Sequence, residues 1–100
     1  MAYNRRFDAQ TDKNHSSLLK LIRTIPKVTI CDLSGTGGGC PDVMLGYMGQ
    51  NILIEIKRPD VKPSASKLND KQEEWHGKWT GQVAIVRTFD DVLGVLGIKF

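Results

Sequence analysis

The chain has 100 residues, of which 40% are hydrophobic and 25% are charged, a composition typical of one globular domain spanning residues 1–100. No apolar run approaches the roughly 18 residues of a membrane-spanning helix. Residues 1–6 also lack the apolar stretch of a signal peptide, so we expect a cytoplasmic protein. The net charge of +3 gives slight support to a polyanionic partner.

The first half of the chain predicts one helix and three strands. Residues 1–11 are polar and irregular, and we interpret them as a flexible arm. The spacing of Leu18, Leu21, Ile22 and Ile25 is helical, and Pro26 ends that helix. The predicted elements are a helix at about 13–24, a strand at 27–33, a glycine-rich connector at 34–39, and hairpin strands at 41–47 and 51–57.

The second half predicts two helices and one strand. Asn69 is a predicted N-cap, with Gln72 at the capping-box position. The predicted elements are a basic loop at 58–67, a helix from 69 to about 78–81, a buried strand at 82–87 and a short helix at 90–96. The chain is therefore predicted to be an α/β domain with the order α-β-β-β-α-β-α.

The hairpin would bring two carboxylates together. If Met48 and Gly49 form a two-residue turn, Asp42 lies directly opposite Glu55, with Cβ atoms about 5 Å apart. Glu55 and Lys57 project to the same side of their strand. Two carboxylates so close repel each other unless a cation lies between them.

This arrangement suits metal-assisted hydrolysis of a phosphodiester. Two carboxylates and a backbone carbonyl can hold Mg²⁺ or Mn²⁺, which activates water and polarises the phosphate. Lys57 can orient the nucleophile or stabilise the developing charge. The alternative is a solvated surface pair of Glu55 and Lys57. Against it, the aliphatic residues at 52–54 and 56 make this strand apolar on both faces, as in a covered central strand.

Histidine and cysteine residues indicate no second type of site. Cys31 and Cys40 are too few and wrongly spaced for zinc. His15 and His76 are far apart in the sequence. A zinc-based or histidine-based catalytic site is therefore disfavoured.

Three features near the carboxylates have two interpretations each. Gly38 and Gly39 are foremost a connector, and they could also let the backbone approach a DNA phosphate. Gln72 could complete its helix cap or point toward the metal centre. A run of positive charge could be a solvated face or a binding site for the phosphate backbone. That run comprises Lys57, Arg58, Lys62, Lys67 and Lys71.

Trp75 and Trp79 are four residues apart and share one helix face. We interpret them as a core stripe that packs this helix on the sheet. Stacking of the rings on nucleobases is the weaker alternative.

Four segments together resemble the VRR-NUC family, the virus-type replication-repair nucleases of the PD-(D/E)xK superfamily. They are Gly38-Gly39-Cys40-Pro41-Asp42, Glu55-Ile56-Lys57, Leu68-Asn69-Asp70-Lys71-Gln72 and Gly81-Gln82-Val83-Ala84-Ile85-Val86. The resemblance covers roughly residues 12–97.

The resemblance implies a restriction-endonuclease-like core, in which helices flank a mixed sheet. It implies a Mg²⁺- or Mn²⁺-dependent DNA endonuclease. Asp42, Glu55 and the Ile56 carbonyl would be metal ligands, Lys57 the catalytic lysine, and Gln72 a further residue of the active site. Stand-alone phage and prophage members are similar in length, and they imply a homodimer that cuts branched DNA such as four-way (Holliday) junctions inside a bacterial cell.

One departure from the family concerns the first helix, which lacks the glutamate that completes the metal site in many members. Asn14 falls near that position, with Asp12 just before it. The amide oxygen of Asn14 could replace the carboxylate. Whether one or two ions bind stays open, and so does a non-catalytic DNA-binding or adaptor role. Exonuclease action at DNA ends is a third possibility. The apolar residues between Val92 and Phe100 could form a dimer surface or finish the monomer core.

Overall fold

The computed structural model describes residues 15–59 and 67–99, which contain three helices and four strands. Their order is α-β-β-β-α-β-α, as predicted from the sequence. The elements are α1 (helical residues 15–22), β1 (Thr29–Asp32), β2 (Val43–Tyr47), β3 (Gln50–Ile56), α2 (Asp70–Lys78), β4 (Val83–Val86) and α3 (Phe89–Leu96). The predicted arm at 1–11 lies outside the described residues. None of the described helices has the length and apolar character needed to span a membrane.

The four strands form one mixed sheet in the order β1-β2-β3-β4. The pairs β1–β2 and β2–β3 are antiparallel, whereas β3–β4 is parallel. Strand β3 is central, and every residue from Ile52 to Ile56 is buried. The prediction of a covered strand apolar on both faces is therefore confirmed.

The β2–β3 hairpin has the predicted two-residue turn. Tyr47 pairs with Gln50, and Met48 and Gly49 have φ angles of 52° and 80°. Positive φ at both central residues is the requirement of a type I′ turn, whose twist matches that of the strands. Val43 consequently pairs with Ile54, and the same register places Asp42 opposite Glu55.

The hydrophobic core lies on one face of the sheet, between the strands and the helices α1 and α3. The buried residues of this cluster are Leu18, Ile22, Ile25, Val43, Leu45, Ile52, Ile54, Ile56, Val86, Val92 and Leu93. Val95, Leu96 and Ile98 pack against the same cluster. The described apolar residues of the C-terminal stretch therefore finish the monomer core, and Phe100 lies outside the described residues.

The second face of the sheet is covered incompletely, and two predictions about it are wrong. Strand β4 was predicted to be buried, but Val86 is its only buried residue and Ile85 is 39% exposed. β4 is an edge strand with core contacts on one side only. Trp75 and Trp79 were predicted to be a core stripe, but α2 contains no buried residue. The two rings stack on each other with centroids 4.8 Å apart, and Trp79 is 45% exposed.

Candidate active site

Asp42 and Glu55 meet at the end of the β2–β3 hairpin away from the turn, where Glu55 projects from the face of the sheet opposite the core. The backbone N–H of Asp42 donates to the Ile54 carbonyl at 3.0 Å. The N–H of Ile56 donates in return to Asp42 Oδ2 at 2.8 Å. Because both bonds involve backbone atoms of a central strand, the fold itself fixes the Asp42 carboxylate next to Glu55.

Glu55 is only 3% exposed, and its Oε1 is buried without a hydrogen-bond partner. Burial, and after it the nearby charge of Asp42, raise the pKa of Glu55 to about 8 against the opposing effect of Lys57. Without a cation, the pair therefore retains a proton near neutral pH. A divalent cation would compensate both charges and displace that proton.

Gln72 connects Glu55 to Lys57. Its Nε2 donates to Glu55 Oε2 at 2.9 Å, and its Oε1 accepts from Lys57 Nζ at 2.8 Å. The ammonium group of Lys57 also lies 3.8 Å from Glu55 Oε2. The amide thus bridges an anion and a cation with its donor and acceptor ends correctly oriented.

The same Gln72 completes the cap of α2, so both interpretations of this residue are correct. Its backbone N–H donates to Asn69 Oδ1 at 2.9 Å. Its Oε1 accepts from the N–H of Asn69 at 3.0 Å. This capping box satisfies two backbone donors at the start of the helix. The local signal that starts α2 therefore also fixes the amide that contacts Lys57.

Gly39 holds the start of α2 close to the end of the hairpin. Its φ angle is 89°, and a Cβ on this residue would overlap the backbone carbonyl of Lys71. Gly38 also has a positive φ, of 67°, but a Cβ there would meet nothing within 4 Å. The connector role of Gly39 is therefore a specific backbone contact with the first turn of α2.

His15 is the functional candidate that the sequence interpretation missed. Its Nε2 lies 3.8 Å from Asp42 Oδ2. A separation of 27 residues hides this contact, yet the helical spacing of His15, Leu18 and Ile22 places all three on one face of α1. That face packs on the sheet, which brings His15 to the carboxylates. Asn14, the predicted replacement for the missing glutamate, lies outside the described residues.

A cleft of about 310 Å³ opens beside His15 and Asp42. Asp32 forms part of its wall, and Ser34 donates to Asp32 Oδ1 through its backbone N–H at 2.8 Å and its hydroxyl at 2.6 Å. The two hydrogen bonds from Ser34 hold the pKa of Asp32 below its ordinary value. The residues lining the cleft are His15, Ser16, Leu19, Asp32, Ser34, Asp42 and Val43.

His76 lies one turn after Gln72 on α2, and its Nε2 is buried without a hydrogen-bond partner. Burial lowers the pKa of His76, and the positive charge of Lys57 lowers it further. This imidazole is therefore neutral at pH 7 and lies within the electrostatic influence of the site.

The basic run predicted from the sequence is only partly described. Lys57 belongs to the site and Arg58, next to it, is half-buried. Lys67 and Lys71 are exposed near the start of α2. Lys62 lies outside the described residues. The choice between a solvated face and a phosphate-binding surface stays open for these positions.

The donor set around Glu55 suits a hard divalent cation. Over residues 15–59 and 67–99, no three His, Cys, Asp or Glu side chains are gathered as a closed metal site. Two carboxylates, one with an unpartnered buried oxygen, nevertheless fit an ion such as Mg²⁺, which binds through one or two carboxylates and keeps several waters. The chain's own residues therefore fit Mg²⁺ or Mn²⁺ at Asp42 and Glu55.

Comparison of the chain with models of protein families, with curated proteins and with solved structures finds no match. The resemblance to the VRR-NUC family therefore rests on the motif residues and their spacing.

Proposed function

We propose that this protein is a Mg²⁺- or Mn²⁺-dependent DNA endonuclease that hydrolyses phosphodiester bonds. The observation that carries the proposal is the buried Glu55, which interacts with Asp42 and has one oxygen without a partner, while Gln72 contacts its other oxygen and Lys57. A buried carboxylate beside a second carboxylate costs stability unless a cation or a proton compensates the charge. The mixed four-stranded sheet with helices is compatible with the restriction-endonuclease-like core that the resemblance implies.

Each residue of the site has a separate task in this proposal. Asp42, Glu55 and the backbone carbonyl of Ile56 would hold the ion. The ion, when bound, would polarise the phosphate and activate water for attack on phosphorus. Gln72 accepts a hydrogen bond from the Lys57 ammonium group, which holds that group beside Glu55. From this position Lys57 would orient the nucleophile or stabilise charge on the phosphate.

The substrate and the assembly come from the resemblance to stand-alone phage and prophage VRR-NUC proteins. We propose a homodimer that acts on branched DNA, with four-way junctions as the first candidate. Two copies of the site would then address two strands of one junction. Exposed lysines near α2 could hold the phosphate backbone, whose recognition is electrostatic and sensitive to salt.

Cleavage of a labelled four-way junction and a matched duplex, each with Mg²⁺, Mn²⁺ or EDTA, tests the proposal. We expect metal-dependent cutting, and we expect Lys57→Ala to lose at least about a hundredfold in rate, as is typical when one stabilising donor is removed. Lys78→Ala is the matched control, because Lys78 is exposed and pairs with Glu74 at 3.2 Å. Undiminished cutting by a folded Lys57→Ala protein contradicts the mechanism.

A DNA-binding or adaptor role without catalysis is the second candidate. It is favoured by the first helix, which lacks the glutamate that completes the metal site in many members of the family that the chain resembles. Tight junction binding with no cutting under any metal would support it. Covalently closed circular DNA addresses the third possibility, since an exonuclease leaves a circle intact and an endonuclease cuts it.

A further inference from the structure

The packing of α1 places His15 beside Asp42. It lies on the same face of α1 as Leu18 and Ile22, which are 4% and 0% exposed. These two residues anchor the helix in the core, so the position of His15 is set by packing. The side chains of His15 and Asp42 are 18% and 19% exposed and line one cleft. A rigid helix is a suitable element for a ligand that must be placed accurately.

The separation of His15 from Asp42 suits two ligands of one ion. The 3.8 Å between Nε2 and Oδ2 is too long for a hydrogen bond. Two adjacent donors on the same octahedral ion, with bonds of about 2.1 Å, lie about 3 Å apart, so His15 and Asp42 would close on a bound ion by less than about 1 Å. The unpartnered, buried Oε1 of Glu55 is an independent sign that a cation belongs in this region.

We propose that the imidazole Nε2 of His15 is a further ligand of the ion held by Asp42 and Glu55, and that it makes the site prefer Mn²⁺ over Mg²⁺. The inference rests on the proposed function of the carboxylate pair. Mg²⁺ strongly prefers oxygen ligands, whereas first-row transition ions accept imidazole nitrogen. A histidine ligand from the first helix would thus add a nitrogen to the donor set without adding negative charge.

The free protein should bind the ion modestly, for two reasons. The three side chains do not form a closed group before binding, so they must be drawn together by the ion. Imidazole also contributes no negative charge. The preference for Mn²⁺ should therefore appear as a ratio of affinities, measured by calorimetry with each metal alone.

Pulsed electron paramagnetic resonance of the full chain loaded with Mn²⁺ tests ligation directly. The spectrum reports nitrogen nuclei bonded to the ion, and labelling histidine with ¹⁵N separates imidazole from backbone nitrogen. His76→Asn is the matched control, because the chain has two histidines. We expect the imidazole signal in the wild type and in His76→Asn, and its loss in His15→Asn.

Calorimetry provides the second readout. We expect His15→Asn to lower Mn²⁺ affinity by roughly tenfold to a hundredfold, a range typical of losing a group that supports a metal site, and to lower Mg²⁺ affinity less. Circular dichroism confirms that each variant is folded. Asp42→Asn locates the ion, since it should weaken binding of both metals.

The outcomes separate this inference from the proposed function. Mn²⁺ binding that requires Asp42 but shows no imidazole signal overturns the role of His15 and leaves the carboxylate site intact. Absence of Asp42-dependent binding of either metal overturns both. Equal loss of Mg²⁺ and Mn²⁺ affinity in His15→Asn overturns the proposed selectivity.

Discussion

Replacement of Glu55 by glutamine should change how the stability of the protein depends on pH. The pKa of this carboxyl is about 8 in the folded protein, against an ordinary value of 4.5. Between these two values the folded protein retains a proton that the unfolded chain has released. The free energy of unfolding must therefore fall as the pH rises through this interval. Glutamine has nearly the same shape, keeps an oxygen that can accept from Gln72, and does not titrate.

The magnitude is large for one residue. Each pKa unit of difference between the folded and unfolded states is worth about 1.4 kcal/mol, so a folded-state value of about 8 against 4.5 gives about 5 kcal/mol at most. Only part of that interval lies between pH 5 and 8, and nearby charges and water relax around the ionised group, so we expect the wild type to lose about 2 to 3 kcal/mol more than Glu55→Gln over this range.

Urea unfolding of both proteins at several pH values, in EDTA, measures the effect. His76 acts in the opposite direction, because its lowered pKa makes stability fall as the pH drops below the ordinary histidine range. The difference between wild type and Glu55→Gln cancels that contribution. Parallel stability curves for the two proteins would refute the argument that Glu55 is protonated in its buried position.

Metal should counteract the wild-type trend. On the proposed function, a divalent ion would bind the ionised pair, so its stabilising effect should be larger at pH 8 than at pH 5.5. The shift of the melting temperature with added Mn²⁺ reports this at each pH. A Glu55→Gln protein should show a smaller shift, since it retains only the Asp42 carboxylate.

Two further substitutions test the packing around α2. Gly39→Ala should destabilise the protein by about 1 to 3 kcal/mol through strain and displacement, and it should reduce cleavage because the Lys71 carbonyl must move. Gly38→Ala is the control in urea unfolding, because it adds only the strain of a positive φ angle, and it should leave cleavage nearly unchanged. Equal effects of the two substitutions would contradict the importance of the contact between Gly39 and the Lys71 carbonyl. Trp79→Ala should lower the free energy of unfolding by only about 1 kcal/mol, which is the contribution of one aromatic pair. A loss of about 3 to 5 kcal/mol, as for a buried aromatic residue, would contradict the exposure of this side chain.

The hairpin could be predicted from the sequence because its signals are local. Met48 and Gly49 lie between two apolar runs, and once that turn is assigned, the register places Asp42 opposite Glu55. The capping box at Asn69 and Gln72 is equally local. Each of these features depends on residues close together in the chain, so their spacing carries the geometry.

The orientation of α2 could not be predicted in the same way. The spacing of Trp75 and Trp79 establishes that they share a face, but not which surface that face meets. The helix is placed by its first turn, through Gly39 and through the polar contacts of Gln72. His15 was missed for a related reason, since its contact with Asp42 depends on how α1 packs across the sheet. Long-range packing decided both outcomes.

Gln72 Oε1 accepts hydrogen bonds from both Asn69 and Lys57. It therefore links the stability of the first turn of α2 to the position of the lysine in the site. No residue of α2 is buried, so little apolar packing opposes its local opening, and the cap is its main restraint. When the first turn of α2 opens, Lys57 loses its hydrogen bond to Gln72, while the core on the other face of the sheet stays intact. Warming should thus abolish the proposed cleavage activity reversibly, through melting of this one short helix, at a temperature below that of global unfolding.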